Sequence, residues 1–165
     1  MRQLNQTRTG GGVLLARFQV QDDDAACQWF CSRHRFDEYG FVGHFMSSLA
    51  LREALPELKV PERQTKAFTH FRLNWSGAYI LDGDFAAILA GGGAYSAFTG
   101  TAAEAKAVGV AVVHELIGDR YDEVFVYVTD KPWSRWFRRA GFDDTRLVID
   151  QRHRQVVLFC TTDED

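Results

Sequence analysis

A chain of 165 residues is long enough for one domain with a substantial core and too short for two ordinary ones, so a single unit over 1–165 is expected. Its 46% hydrophobic and 25% charged residues are values of a soluble globular protein, and no apolar run approaches the length of a membrane span. A net charge of −3 supplies no global basic field for nucleic acid, and three cysteines without a framework spacing fit a reducing, cytoplasmic compartment.

Residues 1–12 lack the apolar core of a secretory signal and read as a flexible arm. Val13–Val20 reads as a first strand. Asp22, Asp23 and Asp24 each offer an N-cap for a helix running to about His34, with Ala26, Trp29 and Phe30 on one face. After a loop over Arg35–Tyr39, the i+4 steps of Phe41, Phe45 and Leu49 predict a second amphipathic helix over Phe41–Ala54 that stops before Pro56. Pro56–Lys66 is polar and reads as a connection. Phe68–Trp75 alternates as a strand would, and Asp82-Gly83-Asp84 between two apolar runs predicts a hairpin over 78–90. The triple glycine Gly91-Gly92-Gly93 marks a bend into a further strand, Ala94–Phe98.

Thr101 and Glu104 stand in capping-box register at the head of a helix over Ala102–Ile117, which carries so few polar residues that most of its circumference should be buried. Val124–Thr129 is a short β-branched and aromatic run, a buried strand. Asp130 then offers an N-cap and Pro132 a first-turn residue, and Trp133, Trp136, Phe137 and Ala140 recur at helical spacing before Gly141 as a stop. Arg146–Ile149 and Val156–Cys160 flank a polar turn as a last hairpin, and 161–165 reads as an acidic, solvated tail.

Strand 94–98, helix 102–117 and strand 124–129 would make a β-α-β unit with parallel strands and a right-handed crossover. Ligands favour the crevice outside the carboxyl ends of such strands, here Thr99, Gly100, Thr101, Thr129 and Asp130. The amides opening helix 102–117 could hold a phosphate, whereas Glu104 in the first turn favours a plain capped turn.

The order strand, two helices, hairpin, strand, helix, strand, helix and closing strands resembles the GNAT acyltransferases. Within Tyr127–Phe142, the residues Asp130, Phe137, Gly141 and Phe142 occupy the places of that family's C-terminal motif. Ser96–Thr101, Arg120–Val128, Ser134–Phe142 and Gln155–Cys160 are similar in order and spacing to the GNAT-like internal virion proteins of short-tailed bacteriophages. The resemblance implies an α/β (α+β) mixed sheet whose central parallel pair splays at a V-shaped cleft, in a cytoplasmic or virion protein. It implies an N-acyltransferase using acetyl-CoA on an amine, with Asp130 or Tyr95 taking the amine proton. Phe98, Thr99, Gly100, Thr101, Thr129, Trp133 and Phe137 would line the coenzyme. Phe98–Ala103 does not spell the family's pyrophosphate turn, and Phe137 stands where a tyrosine often protonates the thiolate. The alternative is therefore a non-catalytic GNAT-like virion component or host-factor binder.

Cys27, Cys31 and His34 lie at i, i+4 and i+7 and could ligate a metal, but no fourth ligand is evident and two small core thiols are the commoner outcome; no metal is expected. Lys131, Arg135, Arg138 and Arg139, with Arg152 and Arg154, could meet nucleic acid or a phosphate, against a solvated helix face.

Overall fold

The structure, a computed structural model, describes residues 2–21, 25–33, 35, 40–139 and 141–164. The expected caps Asp22 to Asp24, His34, most of the loop before Gly40, and Ala140 lie outside the described residues, as do the side chains of Cys27 and Cys31. In chain order the elements are α1 (Arg2–Thr7), β1 (Gly12–Gln19), α2 (Ala25–Ser32), α3 (Phe41–Met46), α4 (Leu49–Ala54), β2 (Arg72–Asn74), α5 (Gly77–Ala90), α6 (Ala102–Ile117), β3 (Val124–Thr129), β4 (Asp144–Asp150) and β5 (Gln155–Thr162). Short 3-10 turns occupy Pro56–Leu58, Lys66–His70 and Tyr121–Glu123.

The described strands form a five-stranded sheet in the order β1-β5-β4-β3-β2, antiparallel at every pairing. Strands β4 and β5 are buried almost throughout, because both faces of the sheet are covered. One layer packs Phe41, Phe45, Leu51, Leu58, Phe68, Phe71, Trp133 and Phe137 against Tyr127, Leu147, Ile149 and Leu158. The other packs Leu81, Phe85, Leu89, Val113 and Leu116 against Val126, Val148, Val157 and Phe159. This alternation of neighbours along each strand is the period of two that a pleated strand imposes.

Several expectations are met. The strand over 124–129, the closing hairpin and helix α6 lie where the sequence puts them, and the capping box forms reciprocally. Thr101 Oγ1 accepts from the Glu104 amide at 3.2 Å while Glu104 Oε2 accepts from the Thr101 amide at 2.6 Å.

The parallel pair is not there. Residues 94–98 form no strand: Gly93 N–H turns back to Ser96 O at 2.9 Å and Ala94 N–H donates to Asp163 Oδ2 at 2.8 Å, so the amides are spent on a turn and a carboxylate instead of a ladder. The expected hairpin over 78–90 is the single helix α5. Ala78, Leu81, Phe85 and Leu89 make one buried stripe, and the two aspartates that read as a turn are satisfied from outside the helix, Asp82 by Lys106 at 2.6 Å and Asp84 by Arg146 at 3.2 Å. Tertiary partners thus override local turn chemistry. The expected helix after Asp130 is a run of turns. Thr129 Oγ1 takes the Lys131 amide at 3.1 Å and Ser134 Oγ takes that of Trp136 at 3.3 Å, which divert the backbone from helical bonding. Arg139, not Gly141, carries the positive φ, at 64°.

The helix expected over 41–54 is two, because Ser48 leaves helical geometry to accept the Leu51 amide as a new N-cap. The strand expected over 68–75 shrinks to β2 behind a 3-10 turn. The expected arm holds α1, with Leu4 buried and Arg8 only 5% exposed. The expected tail begins inside β5, and Asp163 is buried. Its carboxylate accepts the Gly10 amide at 2.8 Å, tying the two ends of the described chain together.

Candidate functional site

Strand β1 is an edge of the sheet. Even-numbered residues Leu14, Ala16 and Phe18 pack on the layer with Phe45 and Leu158, which turns Val13, Leu15 and Arg17 to the opposite face. There the helical cover is incomplete. Helix α5 is drawn down onto β3, since a Cβ on Gly77 would stand 2.5 Å from Val126 Cβ. Helix α6 is drawn onto α5, since a Cβ on Gly109 would stand 2.1 Å from Asp82 O. Such close approaches require glycine. The pair therefore sits over the middle and far side of the sheet, and β1 extends beyond it.

Between α6 and β1 this leaves a cavity of about 540 Å³. Phe159, Leu15 and Arg17 form its floor, Val108, Ala111, Val112, Glu115 and Leu116 its α6 side, Phe85 and Leu89 its inner wall, and Gln3 and Leu4 of α1 one end. Leu15 is 39% exposed. Arg17 is the single cation of this lining, its Nη2 3.5 Å from the Glu115 carbonyl oxygen. At the α1 end Asn5 Oδ1 accepts the Val13 amide at 3.1 Å, closing the first outward N–H of the edge strand. The volume and lining are those of a small-molecule pocket: mostly apolar walls with few polar groups.

The expected burial of α6 fails on this side. Ala105, Gly109, Val113, Leu116 and Ile117 are buried, while on the groove side Ala111 is exposed and Val108 and Val112 are only half-buried. An apolar circumference wider than the packed stripe was the sequence signal for the groove, together with β1 being apolar on both faces around residues 13–16.

The residues expected to form a coenzyme cleft are scattered. Phe98 and Thr99 line a cleft against Gln3, Gln6 and Thr7 of α1. Gly100 and Thr101 are exposed, and the Thr101 amide is held by Glu104, whose carboxyl lies below the usual range chiefly because of that bond. Tyr95 is 71% exposed. Trp133 and Phe137 are core residues on the opposite face of the sheet, with Trp133 Nε1 donating to Thr145 Oγ1 at 3.0 Å. Thr129 is buried, and its hydroxyl is taken up by the Lys131 amide.

Asp130 lines a separate cleft of about 240 Å³ with Arg8, Asp143 and Asp144. Burial pushes the Asp144 carboxyl up to about 6; Arg146, which donates to it, opposes the rise, and the nearby carboxylates of Asp84 and Asp130 add to it. Asp130 behaves oppositely: burial resists its ionisation, but the hydrogen bond and charge of Lys131, a backbone hydrogen bond and the charge of Arg72 together outweigh this and hold it below the usual carboxylate range. Arg8 is spent on structure, donating to Thr161 Oγ1 at 2.9 Å, to Ile88 O at 3.2 Å and to Gly92 O. Among the described residues no three His, Cys, Asp or Glu side chains are grouped to hold a metal ion, and no helix is long and apolar enough to cross a membrane.

The fold and groove together define an α+β protein with an antiparallel sheet covered on both faces and an apolar cavity beside one edge strand. No family model matches the chain, and no curated protein matches it. Among solved structures it is similar to citrus MAF1, at 12% identity and a TM-score of 0.48, over 99% of this chain and 97% of that one. A likeness at that level carries no functional argument. The sheet, antiparallel at every pairing and without a splayed parallel pair, overturns the GNAT reading. The acyl-CoA activity, the virion role and the phage assignment, all implied by that resemblance, fall with it.

Proposed function

We propose that the chain is a ligand-binding protein whose groove between α6 and β1 takes an elongated apolar molecule with an acidic head group. The observation that carries this is the cavity of about 540 Å³ walled by Leu15, Phe85, Leu89, Val108, Val112, Leu116 and Phe159. Apolar walls supply affinity without direction, through area removed from water. Arg17, at one side of that lining, supplies the direction: a carboxylate there gains a charge-assisted hydrogen bond.

Decanoate and decanol distinguish the two parts of this reading. Displacement of a groove-bound anilinonaphthalene sulfonate reporter by both is expected, with decanoate the tighter. Val112→Trp should abolish displacement by filling the cavity. Arg17→Gln should weaken decanoate while leaving decanol unchanged. Displacement that survives Val112→Trp in a folded variant would place the apolar site elsewhere and end the proposal.

A further inference from the structure

On the other face of the sheet, where Trp133 and Phe137 are packed, lies a cleft of about 440 Å³ between Lys59 and Pro61 on one wall and the turns 132–139 on the other. Three cations line it: Lys59, Arg135 and Arg139. Their neighbours in the basic cluster are neutralised, Lys131 by Asp130 at 3.3 Å and Arg138 by Glu164 at 3.6 Å. The side chains of Lys59, Arg135 and Arg139 make no ion pair or hydrogen bond among the described residues. On a chain of net charge −3, three uncompensated cations facing one concavity are a local focus of positive potential and not part of a general field.

The backbone constrains two of them. Among the described residues, Lys59 and Arg139 are two of three non-glycine residues with positive φ, at 51° and 64°. Left-handed geometry is unfavourable for long side chains and persists where the surroundings impose it. Lys59 is fixed by its amide on Pro56 O at 3.1 Å and by buried Leu58 and Val60 on either side. Arg139 is fixed by its amide on Asp143 Oδ2 at 2.9 Å. Between them Trp133, packed on Phe68, Phe71 and Phe137, makes a rigid floor.

We infer that this cleft is a binding site for a compact phosphate-bearing small molecule carrying at least two phosphate charges. Two guanidinium groups and one ammonium match the oxygens of a diphosphate, the arginines by paired N–H donors and the lysine as a point charge. A polynucleotide is the poorer match. Its bases need exposed rings to stack on, and the cleft's one aromatic side chain, Trp133, is only 3% exposed.

Calorimetric titration of inorganic pyrophosphate into the full chain tests this, with a twelve-nucleotide single strand titrated in parallel. Saturable pyrophosphate binding that weakens with added sodium chloride is expected. The variant K59N/R135Q/R139N should weaken it at least tenfold; asparagine at 59 and 139 tolerates the left-handed backbone, so a matching thermal midpoint is expected and is measured alongside. The control K131Q/R138Q, outside the cleft, should change it less than twofold. No saturable heat from wild type, equal losses in the two variants, or saturable binding of the oligonucleotide alone would each overturn the assignment.

Discussion

Gly109 of α6 lies so near Asp82 of α5 that a Cβ would stand 2.1 Å from the Asp82 carbonyl oxygen and 3.2 Å from the Ala86 amide nitrogen. Both neighbours are backbone and cannot swing aside. In an isolated helix Gly109→Ala would gain about 1 kcal/mol of helix propensity. Here it should instead destabilise the protein by about 1–3 kcal/mol, the range for overpacking a fixed contact. Urea denaturation measures the difference, and a stabilised variant would mean that the α5/α6 contact is looser than the structure has it. The groove would respond as well: pushing α6 away from α5 moves its floor-facing side, and displacement of the reporter should weaken.

A second expected outcome concerns pH. Asp144 has a folded value of about 6, above the roughly 3.9 of an unfolded aspartate. The native state therefore prefers the protonated form. Its contribution to stability is fully present below about pH 4 and is lost as pH rises through about 6. Asp144→Asn cannot titrate, so the stability of wild type relative to this variant should fall by about 1–3 kcal/mol between pH 4 and pH 7. The groups facing Asp144, namely Arg146, Asp84, Asp130 and Arg8, remain in both proteins. Parallel denaturation series across that range give the answer; a pH-independent difference would show that Arg146 fully offsets the burial.

The groove makes a third expectation, about chain length. Each methylene buried contributes about 0.8 kcal/mol, close to a fourfold change in affinity. Among straight-chain carboxylates, displacement constants should tighten by roughly that factor per added carbon and then level once the cavity between Leu15 and Leu89 is filled. A series without that slope would mean that the chain lies on the surface and not in the cavity.

How far the sequence was legible depended on whether local and tertiary signals agreed. Strand 124–129, the closing hairpin and the Thr101–Glu104 cap carry their own information: β-branched runs, a polar turn, a reciprocal box. Helix α5 does not, because Asp82-Gly83-Asp84 is locally a turn and becomes helical only when Lys106 and Arg146 answer its charges. The segment after Asp130 fails in the reverse direction. Its apolar spacing is helical, yet Thr129, Ser134 and Asp143 capture amides at Lys131, Trp136 and Arg139. The parallel pair came from a third error, residues 94–98 read as a strand where Gly93 and Ala94 spend their amides on Ser96 and Asp163, and from the pair came the wrong site. The groove was legible only in part: the excess apolar circumference of α6 and the two-faced apolarity of β1 signal an uncovered face, but the displacement of α6 from the sheet edge is set by two glycine contacts that sequence spacing does not encode.

The N-terminal segment provides the last expectation. Arg8, 5% exposed, donates to Thr161 of β5, to Ile88 of α5 and to the Gly92 carbonyl in the triple glycine, and its guanidinium sits over the Phe142 ring at 5.7 Å. Burial works to lower its pKa, and the negative charges of Asp163 and Asp144 oppose that loss. Arg8→Met preserves length and apolar bulk but removes every donor, leaving the Gly92 and Ile88 carbonyls unanswered and Asp163 without its nearest buried cation. Each lost charged bond is of order 1.5–3 kcal/mol, so a destabilisation of about 3–5 kcal/mol is expected, against less than about 0.5 kcal/mol for Arg2→Met on the exposed side of α1. Guanidinium denaturation of the two variants decides between a clamp and a loose arm: equal, small effects would show that residues 2–8 do not hold the sheet to α5.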